Sequence, residues 1–376
     1  MDQFAINIIV LGKSGVGKSS FCNYLFDQPG LFKTGSGKPV TSWEQNFQSH
    51  TFTHQGHLLS VFDSVGLEAD NYERWLEQFD RFMQQRRARP MEPETWIHGA
   101  FYVINASSAR LEPVDVNLIQ RLGSDARIPL QVVLTNADVA GDKIEALKRE
   151  IHKLCPGVSV TPLCSVSVRK RGGQSTQAFG RDEVLSLYLE QSHAFLSKRL
   201  AAMSCLNLKG ALGEMRNTIV AKIEKADLSI FKIADLDLGK EIELPDFDEL
   251  FSDLRSFDDY LSSFGFVGDW ETSDELESAV TRVLDDFQGE MENRFKEIED
   301  GFESDSLLRK VGALYDAAKI ILTMKSTMIE WFDDGFGRVD KELDRLFIKY
   351  ADQDNFFASY LTKGRIIARP KLFGIF

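Results

Sequence analysis

A glycine-rich segment at residues 12–19, GKSGVGKS, restricts the fold of this chain more than any other stretch of its sequence. It matches the pattern GxxxxGK[ST], follows an apolar run of strand length at residues 4–11, and opens a helical pattern at residues 18–26. A strand, a glycine-rich loop and a helix in this order predict a phosphate-binding loop, in which backbone N–H groups and the helix N-terminus face phosphate oxygens. The alternative, a glycine-rich turn beside an unrelated lysine, is disfavoured by that order.

The side chains of this loop have separate expected roles. Lys18 is expected to reach the outer phosphates and to stabilise the charge that is transferred, and Ser19 is expected to bind magnesium. The nucleotide contacts predicted for the whole loop are Ser14, Gly15, Val16, Gly17, Lys18, Ser19 and Ser20.

A second motif, Asp63-Ser64-Val65-Gly66, follows a predicted strand at residues 58–62 and fits the pattern DxxG. Its aspartate is expected to face the magnesium shell, and the backbone N–H of its glycine is expected to meet a γ-phosphate. These roles predict a nucleoside triphosphate as the ligand.

A third motif, Thr135-Asn136-Ala137-Asp138, follows a predicted strand at residues 130–134. A carboxylate at Asp138 can accept hydrogen bonds from the N1–H and the exocyclic amine of guanine, whereas adenine would leave it unpaired. Taken alone, however, Asp138 fits the N-cap of a helix near Asp142 better than a guanine contact.

The apolar pattern divides the chain into two predicted domains. Residues 1–200 alternate strand-length apolar runs with amphipathic helices, which predicts an α/β domain with a mostly parallel sheet flanked by helices. The turn Gln55-Gly56 between two strand patterns predicts an antiparallel hairpin at one sheet edge. Residues 201–376 are helical in pattern throughout, which predicts an all-α domain that ends in a basic and apolar tail at residues 364–376.

The negative charge is concentrated in the second predicted domain. Residues 201–376 carry 22 Lys and Arg against 36 Asp and Glu. An acidic surface repels phosphate backbones, so nucleic acid is not an expected partner. The tail can dock on the protein itself or on an anionic membrane, and the first is favoured because three cations and a few apolar side chains make a weak membrane anchor.

The sequence has neither a spanning apolar run nor a secretory signal pattern, and its four cysteines form no CxxC pair. Together these features predict a cytoplasmic protein.

In this order the motifs resemble the G1, G3 and G4 boxes of the translation-factor-related GTPases, over roughly residues 4–200. Within that class the loop GKSGVGKSS is most similar to those of the septins, the immunity-associated GTPases and the chloroplast import-receptor GTPases. The segment TNAD is similar to their TKAD, with Asn136 in place of lysine. The resemblance implies a P-loop GTPase domain that binds GTP and GDP with Mg²⁺, and a homodimer through these domains or a protein partner.

The resemblance also assigns roles to residues outside the three motifs. Thr41 occupies the place of the switch threonine that senses magnesium and the γ-phosphate, so Lys18, Thr41 and Gly66 are the residues expected to act on the reacting phosphate. Ser165-Val166 occupies the place of a weak G5 box whose backbone meets the guanine oxygen.

Hydrolysis is expected to be slow, because Leu67 stands where Ras-like proteins carry a water-orienting glutamine. A second copy or a partner would then have to supply the missing group. Two basic clusters are candidates for that group, and none of their members is singled out: Arg86, Arg87 and Arg89, then Arg169, Lys170, Arg171 and Arg181. The sequence therefore predicts a slow GTP-dependent switch, with a non-catalytic nucleotide-stabilised scaffold or a dynamin-like assembly protein as the alternative.

Overall fold

The computed structural model describes residues 3–33, 47–68, 71–108, 110–125, 128–166, 177–226, 257–267, 270–303, 314–351, 357, 361–362 and 365–366. The chain divides into two compact units. The first comprises Met1–Lys198, Leu261–Val267 and Gln353–Ala358, and the second comprises Arg199–Tyr260, Gly268–Asp352 and Ser359–Phe376. The domain boundary predicted at residue 200 stays a prediction.

The first unit is built on a six-stranded sheet with helices between its strands. In chain order its elements are β1 (Ile6–Leu11), α1 (Lys18–Leu25), β2 (Gln48–His54), β3 (His57–Asp63), α2 (Tyr72–Arg87), β4 (Gly99–Asn105), α3 (Pro113–Gln120), β5 (Leu130–Thr135), α4 (Ala137–Ala140), α5 (Lys143–Leu154) and β6 (Ser159–Pro162). The strand order is β2-β3-β1-β4-β5-β6. All neighbouring strands are parallel except β2 and β3, which form the predicted hairpin at one edge.

The central strands are mostly apolar and are buried along their whole length, because helices cover both faces of the sheet. All six residues of β1 are buried, as are all six of β5. On one face, the apolar stripe of α2 (Trp75, Phe79 and Met83) packs into the core with strand residues such as Ile9 and Tyr102. The predicted α/β fold with a mostly parallel sheet is thus confirmed.

A short segment from later in the chain covers the ends of the sheet where β1, β3 and β4 begin. The helix α7 (Phe257–Ser263) leads into this segment, and residues Leu261–Val267 belong to the first unit. The Phe264 ring lies 5.4 Å from the Phe4 ring and 4.9 Å from the His98 ring, centroid to centroid. The Phe264 carbonyl lies 3.0 Å from His57 Nδ1, and because a carbonyl can only accept, His57 carries its hydrogen on Nδ1.

The second unit is helical, as predicted. The helix α6 (Arg181–Lys225) continues as one helix past residue 200, because buried residues such as Leu206, Leu212 and Ile219 extend its apolar pattern. Two long helices follow, α8 (Trp270–Glu303) and α9 (Leu314–Ala351). Apolar residues at helical spacing are buried in both helices: Leu276, Val280, Leu284, Phe287, Met291 and Phe295 in α8, and Phe336, Val339, Leu343, Leu346 and Phe347 in α9.

An ion pair and two hydrogen bonds join α6 to α9 in this unit. Lys209 Nζ in α6 lies 3.0 Å from Asp344 Oδ1 in α9. Lys325 Nζ donates to the carbonyls of Glu224 and Ala226, both at 2.8 Å, which satisfies backbone acceptors at the end of α6.

Among residues 358–376, the structure describes only 361–362 and 365–366, which form the two-stranded pair β7 (Leu361–Thr362) and β8 (Arg365–Ile366). Most of the predicted tail therefore lies outside the described residues. None of the described helices combines the length and apolarity that crossing a bilayer requires.

Gly335 allows close packing of α8 against α9, which makes it a sensitive test of this unit. A Cβ atom at this position would lie 2.0 Å from Cε2 of Phe287. Gly335→Ala is expected to lower the free energy of unfolding by ~1–3 kcal/mol through overpacking. Gly337→Ala is the matched control, because no heavy atom lies within 4 Å of its added Cβ; it is expected to raise that free energy by roughly 0.5–1 kcal/mol. Urea titrations followed by circular dichroism would measure the free energy of unfolding of both variants. Equal changes in Gly335→Ala and Gly337→Ala would contradict the close packing at Gly335.

Candidate nucleotide-binding site

The predicted phosphate loop lies between the end of β1 and the start of α1, at the carboxyl edge of the sheet. Gly12 has φ 144°, and a Cβ there would lie 2.4 Å from the Val103 carbonyl oxygen, so the loop passes directly against β4. Gly17 caps α1 in the left-handed conformation, with φ 94°. Both positions require glycine, because other residues rarely adopt these angles. Ser14 and Gly15 are exposed at the tip of the loop, and Ser20 is half-buried in α1.

Lys18 is the buried cation of this loop. Its ammonium donates to the carbonyls of Gly12 at 3.0 Å and Lys13 at 3.1 Å, and its residue is 8% exposed. Burial lowers the pKa of Lys18 to about 8, against the smaller opposing effect of Asp63. An ammonium held inside its own loop is placed to bind an anion without reorganisation of the backbone.

Asp63 ends β3 and forms the acidic half of the site. Burial raises its pKa to about 6, while the Lys18 charge and a hydrogen bond from Ser19 oppose that rise. Its Oδ1 atom is buried and has no hydrogen-bond partner among the described residues. A buried, unpaired carboxylate oxygen beside a serine hydroxyl is suited to a divalent cation that binds oxygen ligands.

The DxxG loop lies directly on the phosphate loop. Ser14 N–H donates to the Leu67 carbonyl at 3.1 Å, and Leu67 N–H donates to the Gly12 carbonyl at 3.2 Å. A Cβ at Gly66 would lie 2.5 Å from Ser14 Cα, so only glycine fits. The Leu67 side chain is 4% exposed and belongs to the sheet core, where it cannot contact a water molecule at the phosphates.

The end of β5 contributes a buried hydroxyl to the phosphate loop. Thr135 Oγ1 lies 2.7 Å from the Val16 carbonyl and donates to it. The next residue, Asn136, is exposed and left-handed, with φ 53°. Asparagine tolerates this conformation better than most residues, which gives a physical reason for Asn136 at a position where the resembling families carry lysine.

Asp138 is half-buried in the first turn of α4, one turn beyond the buried hydroxyl of Thr135. The interpretation of Asp138 as a helix N-cap is wrong, because Asn136 is the N-cap of α4 and Asp142 is the N-cap of α5. Its carboxylate is therefore free of a capping role and available to a ligand.

Cys164, which sequence reasoning did not assign, lies beside Asp138. Its thiol is hydrogen-bonded to the Asp138 side chain and lies 3.2 Å from the Val166 carbonyl, to which it can also donate. Burial raises the pKa of this thiol, and the Asp138 charge adds to the rise. Its position directly before Ser165 was the only signal in the sequence. Ser165 is half-buried, and Val166 is 54% exposed at the same end of the sheet.

The structure does not bring every predicted site residue together. Thr41 lies outside the described residues, as do Arg169, Lys170 and Arg171. Arg86 packs on the rings of Phe62 and Phe82. Three of the cationic candidates bond within the chain: Arg86 to the Thr95 carbonyl, Arg89 to Glu92 and Arg181 to the Leu25 carbonyl.

The strand order, the phosphate loop and the DxxG loop that packs on it are those of a translation-factor-related P-loop GTPase domain, followed in the chain by a helical region. The predicted resemblance to this class is confirmed, and similarity to the septins, one of the three families predicted from the motifs, supports it. The family model described as Septin matches residues 2–160.

Individual septins are also similar to part of the chain. Septin-12 of Homo sapiens is 28% identical over 172 residues, which are 40% of this chain and 46% of that protein. Septin-9 of Mus musculus is 26% identical over 143 residues, 33% of this chain and 24% of that protein. The crystal structure of the septin GTPase domain from Chlamydomonas reinhardtii covers 50% of this chain and 90% of its own, with 15% identity and a TM-score of 0.37. The chain thus spans less than half the length of these two full-length relatives.

Proposed function

We propose that this protein binds GTP and GDP with Mg²⁺ and hydrolyses GTP slowly, as a nucleotide-dependent switch. One observation carries the proposal: a buried lysine, a buried carboxylate and a serine hydroxyl meet where the phosphate loop and the DxxG loop touch. The similarity of residues 2–160 to septins supports guanine as the base.

The residues fit a magnesium ion. Asp63 Oδ1 is a buried oxygen without a partner among the described residues, and Ser19 donates to the same carboxylate. Ser19 and Asp63 would hold the ion, and Thr41 stays a predicted third ligand. When bound, magnesium neutralises charge on the phosphates.

The chain's own groups account for binding of the nucleotide. Lys18 faces the outer phosphates, and the backbone of residues 14–19 supplies N–H donors. Thr135 fixes the phosphate loop to β5, so that the loop and Asp138 stay in register. Asp138 accepts from guanine, and the backbone at Ser165 and Val166 meets the guanine oxygen.

Slow hydrolysis follows from the burial of Leu67. Its side chain is in the core and its backbone is bonded to the phosphate loop, so the chain supplies no water-orienting group at this position. A group supplied by a second copy or by a protein partner is worth ~10³–10⁵-fold in sites of this kind. We therefore propose a homodimer or a partner complex as the faster form.

The switch would act through β3. This strand joins the DxxG loop at Asp63 to His57, whose Nδ1–H donates to the Phe264 carbonyl. A shift of the DxxG loop between the GDP and GTP states would displace β3 and so change the contacts at both of its ends. Hydrogen exchange in residues 276–298 or 336–350 is expected to differ between the GDP and GTP-analogue states.

The alternative is a scaffold that is stabilised by nucleotide and does not depend on hydrolysis. The burial of Leu67 disfavours fast turnover, and slow turnover is what a nucleotide-stabilised scaffold would show. Turnover that rises with protein concentration supports the switch, and stable oligomers that retain unhydrolysed nucleotide support the scaffold.

The alkaline pH dependence of binding follows from Lys18. Its pKa is about 8 in the free protein, so part of it is neutral above pH 8. Anionic phosphates favour the ammonium and raise its pKa, so binding takes up a proton above pH 8 and affinity falls as the pH rises. Calorimetry of GDP binding in two buffers of different ionisation enthalpy is expected to show proton uptake at pH 8.5 and little at pH 7. Equal uptake at the two pH values would contradict this.

The nucleotide carried by the purified chain tests the proposed function first. Denaturation followed by anion-exchange chromatography is expected to release GDP or GTP. Release of adenine nucleotides in their place would remove guanine from the proposal.

A further inference from the structure

The second residue of the phosphate loop, Lys13, forms an ion pair with α3. Its Nζ atom lies 2.8 Å from Asp115 Oδ2 and 3.1 Å from Glu112 Oε2. The Lys13 side chain is 25% exposed and that of Asp115 is 3% exposed, whereas Glu112 is half in solvent. The strong part of this contact is therefore the buried pair with Asp115.

Asp115 is held in place from three directions. Tyr102, buried in β4, donates its hydroxyl to Asp115 Oδ1 at 2.7 Å. The Glu112 backbone N–H donates to Oδ2 at 2.9 Å, as part of the capping box at the start of α3. With Lys13 as the third donor, this carboxylate is a fixed point between the sheet, α3 and the phosphate loop.

The backbone of Lys13 lies at the junction of the two loops that surround the phosphates. Its carbonyl accepts from the Lys18 ammonium at 3.1 Å. Lys13 also forms a parallel bridge with Leu67, made by Leu67 N–H to the Gly12 carbonyl and Ser14 N–H to the Leu67 carbonyl. A displacement of Lys13 would thus move both the phosphate-binding ammonium and the loop that contains Gly66.

We propose that Lys13 and Asp115 are positioning residues that hold the phosphate loop and the DxxG loop in register for a terminal phosphate. This inference rests on the proposed nucleotide binding. Lys13 does not itself bind phosphate, because Asp115 and Glu112 neutralise it. The pair selects a triphosphate over a diphosphate, since Gly66 N–H can contact only the γ-phosphate.

Three substitutions in the full chain test the proposal. Asp115→Asn and Lys13→Met each remove the charge pair, and Lys13→Arg keeps it. The first two are expected to weaken binding of a non-hydrolysable GTP analogue by about tenfold, and GDP by about threefold or less, as for loss of a close charge pair. Lys13→Arg is expected to retain the wild-type ratio of the two affinities. Lys148→Met is the matched control, because it removes an α5 lysine of equal side-chain exposure that forms an ion pair with Glu145 on the same helix.

A second readout does not need nucleotide. Backbone amide exchange at residues 14 and 67 of the nucleotide-free protein is expected to be faster in Asp115→Asn and Lys13→Met than in the wild type or Lys148→Met. Equal loss of GTP-analogue and GDP affinity, or unchanged exchange at these two amides, would overturn the positioning role. A wild-type chain that binds neither nucleotide would refute the proposed function, while the exchange measurement would still decide whether the pair holds the two loops together.

Discussion

Lys18→Ala is expected to lower the affinity for GTP and GDP by ~10²–10⁴-fold, because hydrogen bonds to charged groups contribute about 1.5–3 kcal/mol each and we expect the ammonium to contact about two phosphate oxygens. The fold should survive. The buried ammonium is disfavoured by its surroundings, which lower its pKa to about 8, so its removal relieves a cost in the nucleotide-free protein. Calorimetry would measure the affinities, and thermal melting without nucleotide would measure the stability of the folded protein.

Lys148→Ala is the control for the loss of a lysine, since Lys148 is half-buried on α5, outside the proposed site, and pairs with Glu145 at 3.4 Å. Its nucleotide affinity should equal that of the wild type. A Lys18→Ala protein that binds GTP within about threefold of the wild type would reject the assigned phosphate loop, since a lost charged contact costs about tenfold or more.

Asp138→Asn is expected to change the preferred base from guanine to xanthine. In the proposed site the carboxylate accepts from two donors of guanine, and an amide in its place can donate to the oxygen that xanthine carries instead of the amine. We expect a loss of GDP affinity on the order of 10²-fold and a gain for xanthosine diphosphate of similar size, because mispaired polar groups in a site cost about this much or more.

Cys164 offers a matched comparison for the base site. Its thiol contacts the Asp138 side chain, so Cys164→Ser should retain the base preference, since serine keeps a hydrogen-bond donor. Competition between the diphosphates of guanosine, xanthosine and adenosine would measure the base preference of the wild type, Asp138→Asn and Cys164→Ser. An unchanged order of preference in Asp138→Asn would show that another residue selects the base.

Local motifs made most of the first unit predictable. The glycines of the phosphate loop, the DxxG segment and the apolar runs of β1 and β5 each encode their structure within a few residues. The turn Gln55-Gly56 between two strand patterns likewise predicted the hairpin at the sheet edge, which the structure confirms.

Contacts between distant residues were not predictable from the same patterns. The pair of Lys13 with Asp115 spans about a hundred residues and depends on how α3 packs beside the phosphate loop. Leu67 was expected to be unable to orient water, but the sequence could not show that its side chain lies in the core. The packing of Phe264 against His57 and His98 also had no local signal, because an apolar residue after a short helix fits many surfaces.

The continuation of α6 past residue 200 has a different cause. The periodicity of a helix shows where its apolar face lies, but a helix that leaves one compact unit and enters another has no break in that periodicity. Only the three-dimensional arrangement shows that residues 199–225 pack with the later helices.

The central claim is that this chain is a guanine-nucleotide-binding protein whose site is the phosphate loop with Lys18, Asp63 and Asp138. Isothermal titration of the nucleotide-free full chain with GDP, a non-hydrolysable GTP analogue and ADP, each with magnesium, tests it most directly. We predict one site per chain, with both guanine nucleotides bound at least about 100-fold more tightly than ADP, because the adenine ring would leave Asp138 unpaired. Equal affinities for GDP and ADP, or no binding of either guanine nucleotide, would contradict the account.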